Sequence, residues 1–292
     1  MSDATLASRM RCQVAWTIVL LVVFAVAVPA TIVATRARGS GPVPQTSEAS
    51  TNGAAAESAA PRTPPKRVRR DSVLVPLSTG NPSEAFWQMH EAAPLIEPDE
   101  EARPVTLLLH GMCADSSWTC DWLQYFPMAP AWQVCPRAPR KCSTEPGYSW
   151  TNAGDTRRIV ELSMATLVQR HGARVRGDSI VIAGFSLGAH AIAGLVRELA
   201  RQTPPPMRLR GVVVQGAPVH FSAVDLRELG ARIALTAGDL DGAAPAMRAE
   251  AEKLRREGID SRYVSLGKDE SHFSSVATGR TIAELIDWCR GD

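Results

Sequence analysis

The pentapeptide Gly184-Phe185-Ser186-Leu187-Gly188 constrains this chain more than any other segment. An apolar run, Ser179-Ile-Val-Ile-Ala183, leads into it, and a stretch rich in small residues, Ala189-His-Ala-Ile-Ala-Gly194, leads out. The pattern predicts strand, sharp turn and helix, with Ser186 at the apex. In such a turn the strand and helix backbones nearly touch. Only residues without Cβ fit two positions before and two after the serine, which accounts for Gly184 and Gly188. The turn lifts the Ser186 hydroxyl clear of the sheet and aims a helix N-terminus at it. A nucleophile needs that exposure; the competing reading is a turn with a purely structural role.

A serine hydroxyl is a weak nucleophile until a base takes its proton and a third group orients the base. It also needs donors for the oxyanion that forms. Pro104–Leu109 reads as a buried strand and runs directly into His110-Gly111-Met112. A strand ending in His-Gly points to the backbone N–H of Met112 as one oxyanion donor, and the residue after the nucleophile, Leu187, supplies the other. The Met112 side chain has an ordinary reading as a core residue, and both readings can hold. The acid is expected after a later strand. Ala231–Ala237 is such a strand, capped by Gly238-Asp239-Leu240-Asp241-Gly242. Asp241 is the expected acid, because the G-x-x-D spacing lets the strand end turn before it presents a carboxylate. Asp239 would shape the turn, and either aspartate could cap a helix over 243–258. The base is expected after the last strand, Ser261–Leu266, where His272 lies in the polar loop Gly267–Phe273. His90 and His171 read as surface positions, His190 as packed behind the elbow, and His220 as a loop residue bordering the site.

Ser186, Asp241 and His272 follow one another in the chain order of the α/β-hydrolases. From about Pro104 onward the chain resembles that superfamily. The resemblance is carried by His110-Gly111, the 184–188 elbow, Gly238-x-x-Asp241 and the Gly267…His272 loop. Within it, the chain looks most like the phospholipase/carboxylesterase and dienelactone-hydrolase-like group, in which caps are small or absent. The resemblance implies an α/β fold, a mostly parallel sheet with helices on both faces, and a serine hydrolase acting on carboxylic esters of small molecules or acyl groups. Thioesterase, lipase and peptidase activities are the enzymatic alternatives; a silent fold used for binding is the non-enzymatic one. No cofactor and no metal is implied. Cys113, directly after the oxyanion residue, departs from the usual loop.

The βα alternation of the chain agrees with a parallel sheet covered on both faces. Strands are expected at 71–77, 84–90, 105–109, 132–135, 180–183, 211–215, 233–237 and 262–266, and helices at 159–169, 187–201, 223–229, 244–257 and 281–289. Only seven residues, 216–222, separate the strand after the nucleophile helix from the next helix. That is too short for a cap. The connection 136–156, with Tyr148 and Trp150, is the expected pocket wall. An open site of this kind favours short acyl esters or bulky substrates and gains no rate at a lipid interface.

The first 70 residues differ from the rest. Residues 14–34 carry no charge over 21 positions, close to the ~20 needed to cross a bilayer. They predict a single transmembrane helix after a short cytoplasmic tail, 1–13, with the catalytic domain outside. Val28-Pro29-Ala30 offers a signal-peptidase site, so cleavage and secretion is the alternative. Residues 35–70 are a Pro/Ser/Ala-rich linker ending in the basic run Lys66–Arg70, which cannot bury enough apolar surface to fold. Residues 1–70 contain nine Lys/Arg and three Asp/Glu, whereas 71–292 contain 23 and 27. The catalytic domain is therefore mildly acidic, which argues against nucleic-acid binding. Cysteines at 113, 120, 135 and 142 suggest an oxidising compartment. At least one disulfide is expected among them, most simply Cys113–Cys120 or Cys135–Cys142.

Overall fold

The computed structural model describes residues 72–84, 87–94, 101–123, 126, 128–272 and 276–291. The expected transmembrane segment and linker lie outside these residues. Among the described residues no helix is long and apolar enough to cross a membrane.

An eight-stranded sheet forms the centre. Its strands are β1 (Val73–Pro76), β2 (Gln88–Ala92), β3 (Arg103–Leu109), β4 (Trp132–Pro136), β7 (Val175–Phe185), β8 (Leu209–Gln215), β9 (Arg232–Ala237) and β10 (Ser261–Ser265). Their spatial order is β1-β2-β4-β3-β7-β8-β9-β10. β2 runs antiparallel to both neighbours, and every pairing from β4 to β10 is parallel. A separate two-stranded hairpin, β5 (Arg140–Lys141) with β6 (Tyr148–Ser149), lies in the β4–β7 connection.

The helices are α1 (Ser116–Leu123), α2 (Ala153–His171), α3 (Leu187–Ala200), α4 (Ala223–Leu229), α5 (Ala244–Arg256) and α6 (Val276–Arg290). Both faces of the sheet are covered. Successive strand residues point to opposite faces, and the two core clusters divide accordingly. Leu107, Ile182, Val212 and Ile233 pack with α2, α3, α4 and α5 on one face. Leu108, Val181, Ala183, Val213 and Ala234 pack with α1 and α6 on the other. That double burial explains why these strands read as continuous apolar runs.

The sequence finds every strand of the central sheet, with β7 starting five residues earlier than expected, but misses several features. Helix α1 lies where no helix is expected. Hairpin β5–β6 is also unanticipated. Helix α2 begins at Ala153, six residues before the expected start; Asn152 caps it by accepting from the Asp155 N–H at 2.8 Å. The first two strands are shorter than the expected 71–77 and 84–90, and Pro82–Glu84 forms a 3-10 turn instead.

The disulfide pairing differs from the two local loops. Cys113 bonds to Cys142 and Cys120 to Cys135. The pairing follows from topology: β4 returns beside β3 and β2, which brings Cys135 to α1. Cys289 is a free, buried thiol, and burial pushes its pKa up to about 12.

Candidate active site

Ser186 sits between β7 and α3 with φ 52° and ψ −115°, a strained conformation for a residue with a side chain. Its N–H donates to the Gln215 carbonyl at 2.9 Å, tying the elbow to β8. The glycines beside it are required by distance. A Cβ at Gly188 would lie 2.1 Å from the Leu109 carbonyl oxygen, and one at Gly184 would lie 2.8 Å from the Gly188 backbone.

Asp241 and His272 converge on this serine. The acid loop after β9 and the loop after β10 are joined by backbone hydrogen bonds, Asp239 N–H to Gly267 O and Leu240 N–H to Glu270 O, both 3.0 Å. The Ser265 hydroxyl donates to Asp239 Oδ1 at 2.7 Å, so Asp239 shapes the turn. Asp241 is 8% exposed. Its Oδ1 accepts from the Ala243 N–H at 2.9 Å, which starts the run into α5, and its Oδ2 lies 3.0 Å from His272 Nδ1. A carboxylate only accepts, so Nδ1 carries the proton. His272 Nε2, 2.9 Å from Ser186 Oγ, is then the acceptor for the serine hydroxyl.

Gly216, directly after β8, was not singled out by the sequence. Its φ is +64°, and a Cβ there would lie 3.2 Å from both Asp241 Oδ2 and His272 Nδ1. The backbone of the β8 loop therefore packs against the acid–base pair. A glycine at a strand end, in the edge that carries the other site loops, was the available clue.

The opposite wall is the turn Gly111–Ala114. Met112 is 69% exposed, not a core residue, and Cys113 has a positive φ of 54°. His110 is buried. Its Nε2 accepts from the Ala138 N–H at 3.1 Å, which leaves the proton on Nδ1 to donate to the Gly111 carbonyl at 2.8 Å. Burial of the ring lowers its pKa to about 4. The Gly111 carbonyl and the Met112 N–H belong to one peptide plane and point in opposite directions. Fixing the carbonyl therefore fixes the amide. Trp150 does not line the pocket; its indole N–H donates to the His110 carbonyl at 2.9 Å. Tyr148 joins Ala114 through an isolated bridge.

A cavity of about 540 Å³ opens at Ser186 and His272. Its wall is α1, with Trp118 and Trp122, instead of the expected 136–156 connection. That connection buttresses the Gly111–Ala114 turn from behind. The remaining histidines also depart from expectation. His90 is buried in β2, with Nδ1 2.8 Å from Ser116 Oγ. His171 stacks on Trp132 and pairs with Glu91. His190 is exposed. His220 pairs with buried Glu250 and is not among the cavity-lining residues.

No family profile and no curated protein matches this chain in sequence. Solved structures do match in fold. A ferulic acid esterase aligns with TM-score 0.55 and 14% identity, covering 76% of this chain and 98% of its own. The acyl-protein thioesterase 2 of Zea mays aligns with TM-score 0.51 and 15% identity, covering 70% and 99%. The esterase PE8 aligns with TM-score 0.50 and 19% identity, covering 76% and 100%. At these identities the likeness is one of fold. The chain has the α/β-hydrolase fold.

Proposed function

We propose that this protein is a serine hydrolase that cleaves carboxylic esters. The observation that carries the reading is the unbroken hydrogen-bond relay from Ser186 Oγ through His272 to Asp241. In this reading Ser186 attacks the ester carbonyl while His272 Nε2 takes its proton. Asp241 holds the useful tautomer and stabilises the imidazolium that forms. The N–H groups of Leu187 and Met112 receive the negative charge developing on the carbonyl oxygen. His272 then returns the proton to the departing alkoxide. Water, activated by the same histidine, hydrolyses the acyl-enzyme and restores Ser186.

The esterases and the acyl-protein thioesterase that share the fold support the ester and thioester classes. We further propose that residues 14–34 anchor the protein in a membrane and that the catalytic domain lies outside the cytoplasm. Two disulfides in the catalytic domain accord with an oxidising compartment. Ser186→Ala tests the hydrolase reading: it should remove hydrolysis of activated esters by several powers of ten. Retention of a tenth or more of the wild-type rate would assign the chemistry elsewhere. Protease added to intact spheroplasts should clip the 35–70 linker and release an active fragment; a fully protected domain would reverse the topology.

A further inference from the structure

The cavity at Ser186 continues down one face of the sheet. Its floor is a row of three residues in register on adjacent strands, Leu108, Ala183 and Val213. Ala183 lies three residues before Ser186, so the floor is about 10 Å below the hydroxyl at about 3.3 Å per strand residue. Trp118 and Trp122 of α1 form one side and Ile282 of α6 the other.

Side-chain size on β7 creates this space. Val181, Ala183 and Phe185 alternate onto the same face. The Phe185 ring stands at the mouth, its centroid 5.0 Å from that of the His272 ring. Val181 is fully buried beneath. The small Ala183 between them leaves the room. The volume falls in the range of ligand pockets, about 300–1,000 Å³. The lining is mainly apolar, with Thr119 and Gln215 the polar side chains besides Ser186, His272 and the two indoles. A charged group taken against the apolar floor would lose hydration that these few groups replace only in part.

We infer that the substrate carries an aliphatic chain that occupies this channel while its ester or thioester carbonyl sits at Ser186. The inference rests on the reading of Ser186 as nucleophile. A depth of about 10 Å accommodates roughly eight carbons in a zigzag of about 1.5 Å bonds. The recognised chemistry is the alkyl chain, whether the acyl half or the leaving half of the substrate supplies it.

Two ester series separate those sources: p-nitrophenyl esters from acetyl to tetradecanoyl, and acetate esters of alcohols from ethyl to tetradecyl, all below their aggregation thresholds. In one series kcat/KM should rise about fourfold per methylene, equivalent to about 0.8 kcal/mol, to roughly the eight-carbon member, and then fall. The series that responds identifies the half that enters the channel. Rates that stay flat or decline from the shortest member in both series would overturn the inference. Ala183→Leu should lower the eight-carbon to two-carbon rate ratio at least tenfold; an unchanged ratio in a folded variant would count against the channel. Binding supplies a readout independent of chemistry and of that variant. Hexanoate and octanoate should quench the tryptophan fluorescence of Ser186→Ala with affinity rising with length. If wild type hydrolyses no ester yet the alkanoates bind this way, the nucleophile reading fails and the channel stands. If turnover is rapid but insensitive to chain length and the alkanoates do not bind, the nucleophile reading stands and the channel falls.

Discussion

Ser186, Asp241 and His272 lie on loops that backbone contacts position, whereas the Gly111–Ala114 turn facing them adds side chains and sulfur to its backbone contacts with Gly147 and Tyr148. On the first side, glycine backbones touch: Gly188 against Leu109 and Gly216 against the Asp241–His272 pair. The acid and base loops hold each other through main-chain hydrogen bonds. On the second side, buried His110 clamps the Gly111 carbonyl, Trp150 clamps the His110 carbonyl, and the Cys113–Cys142 bond ties the turn to the segment of hairpin β5–β6. Close backbone packing tolerates no added atom. A side-chain and disulfide scaffold can lose a member and retain partial order. The two sides should therefore fail differently.

The largest effect is expected at the acid. Asp241→Asn should lower kcat about 10⁴-fold, because the amide favours the wrong histidine tautomer. Asp239→Asn should cost only a few fold. Steady-state kinetics of the two variants would break the assignment if the ranking were reversed.

Backbone packing comes next. Gly188→Ala places a methyl 2.1 Å from the Leu109 carbonyl oxygen. The elbow must open, and a shift of about 1 Å in a reacting group costs about a hundredfold. Gly242→Ala is the matched control, since nothing lies within 4 Å of its added Cβ, and its kcat should stay at the wild-type value. Equal effects from the two substitutions would remove the argument from close packing.

The disulfides sharpen the contrast. Replacing both Cys113 and Cys142 by Ser should lower kcat about tenfold or more with little change in KM, since one oxyanion donor contributes 10²–10³ when fully removed. Replacing Cys120 and Cys135 should lower stability by about 3 kcal/mol on the loop-closure estimate while kcat stays within a few fold. If the Cys120–Cys135 pair proved the more important for kcat, α1 and not the turn would be what the sulfur protects.

The last effect concerns pH and touches stability alone. The His110 pKa is lowered from 6.5 to about 4 by burial. Between those values the unfolded chain binds a proton that the folded protein refuses, so stability rises with pH across that window. This contribution is complete above pH 6.5 and is lost as the pH falls toward 4, by an amount on the order of 3 kcal/mol. Urea titrations at pH 7 and pH 4.5 should show the loss in wild type and a smaller one in His110→Asn. Identical pH dependence in the two would mean that His110 carries no such penalty.

The same contrast explains what was legible in the sequence. The side that carries Ser186, Asp241 and His272 is written in local patterns. An apolar run meeting G-x-S-x-G, and strand ends followed by G-x-x-D and a polar histidine loop, each depend on a few neighbouring residues. The facing side depends on contacts between distant segments. Helix α1 reads Ser-Ser-Trp-Thr-Cys-Asp-Trp-Leu, poor helix formers for the most part, and is held by packing and Cys120–Cys135. Its one local signal is a cap-like contact, Asp115 accepting from the Ser117 N–H at 2.8 Å. The even C-x6-C spacing suggested local loops, but four cysteines allow three pairings and only the sheet order chooses among them. His90 reads as surface because β2 alternates with polar residues. It is buried because β2 lies between β1 and β4 and packs against α1.

The central claim is that Ser186 is an activated nucleophile. A fluorophosphonate probe followed by peptide mass mapping tests it most directly, because the probe needs both the relay and the oxyanion donors but no knowledge of the substrate. The account predicts one adduct per chain, located on Ser186, and a sharp slowing of labelling in Asp241→Asn. Folded protein that takes up no probe, or takes it up at another serine, would contradict it.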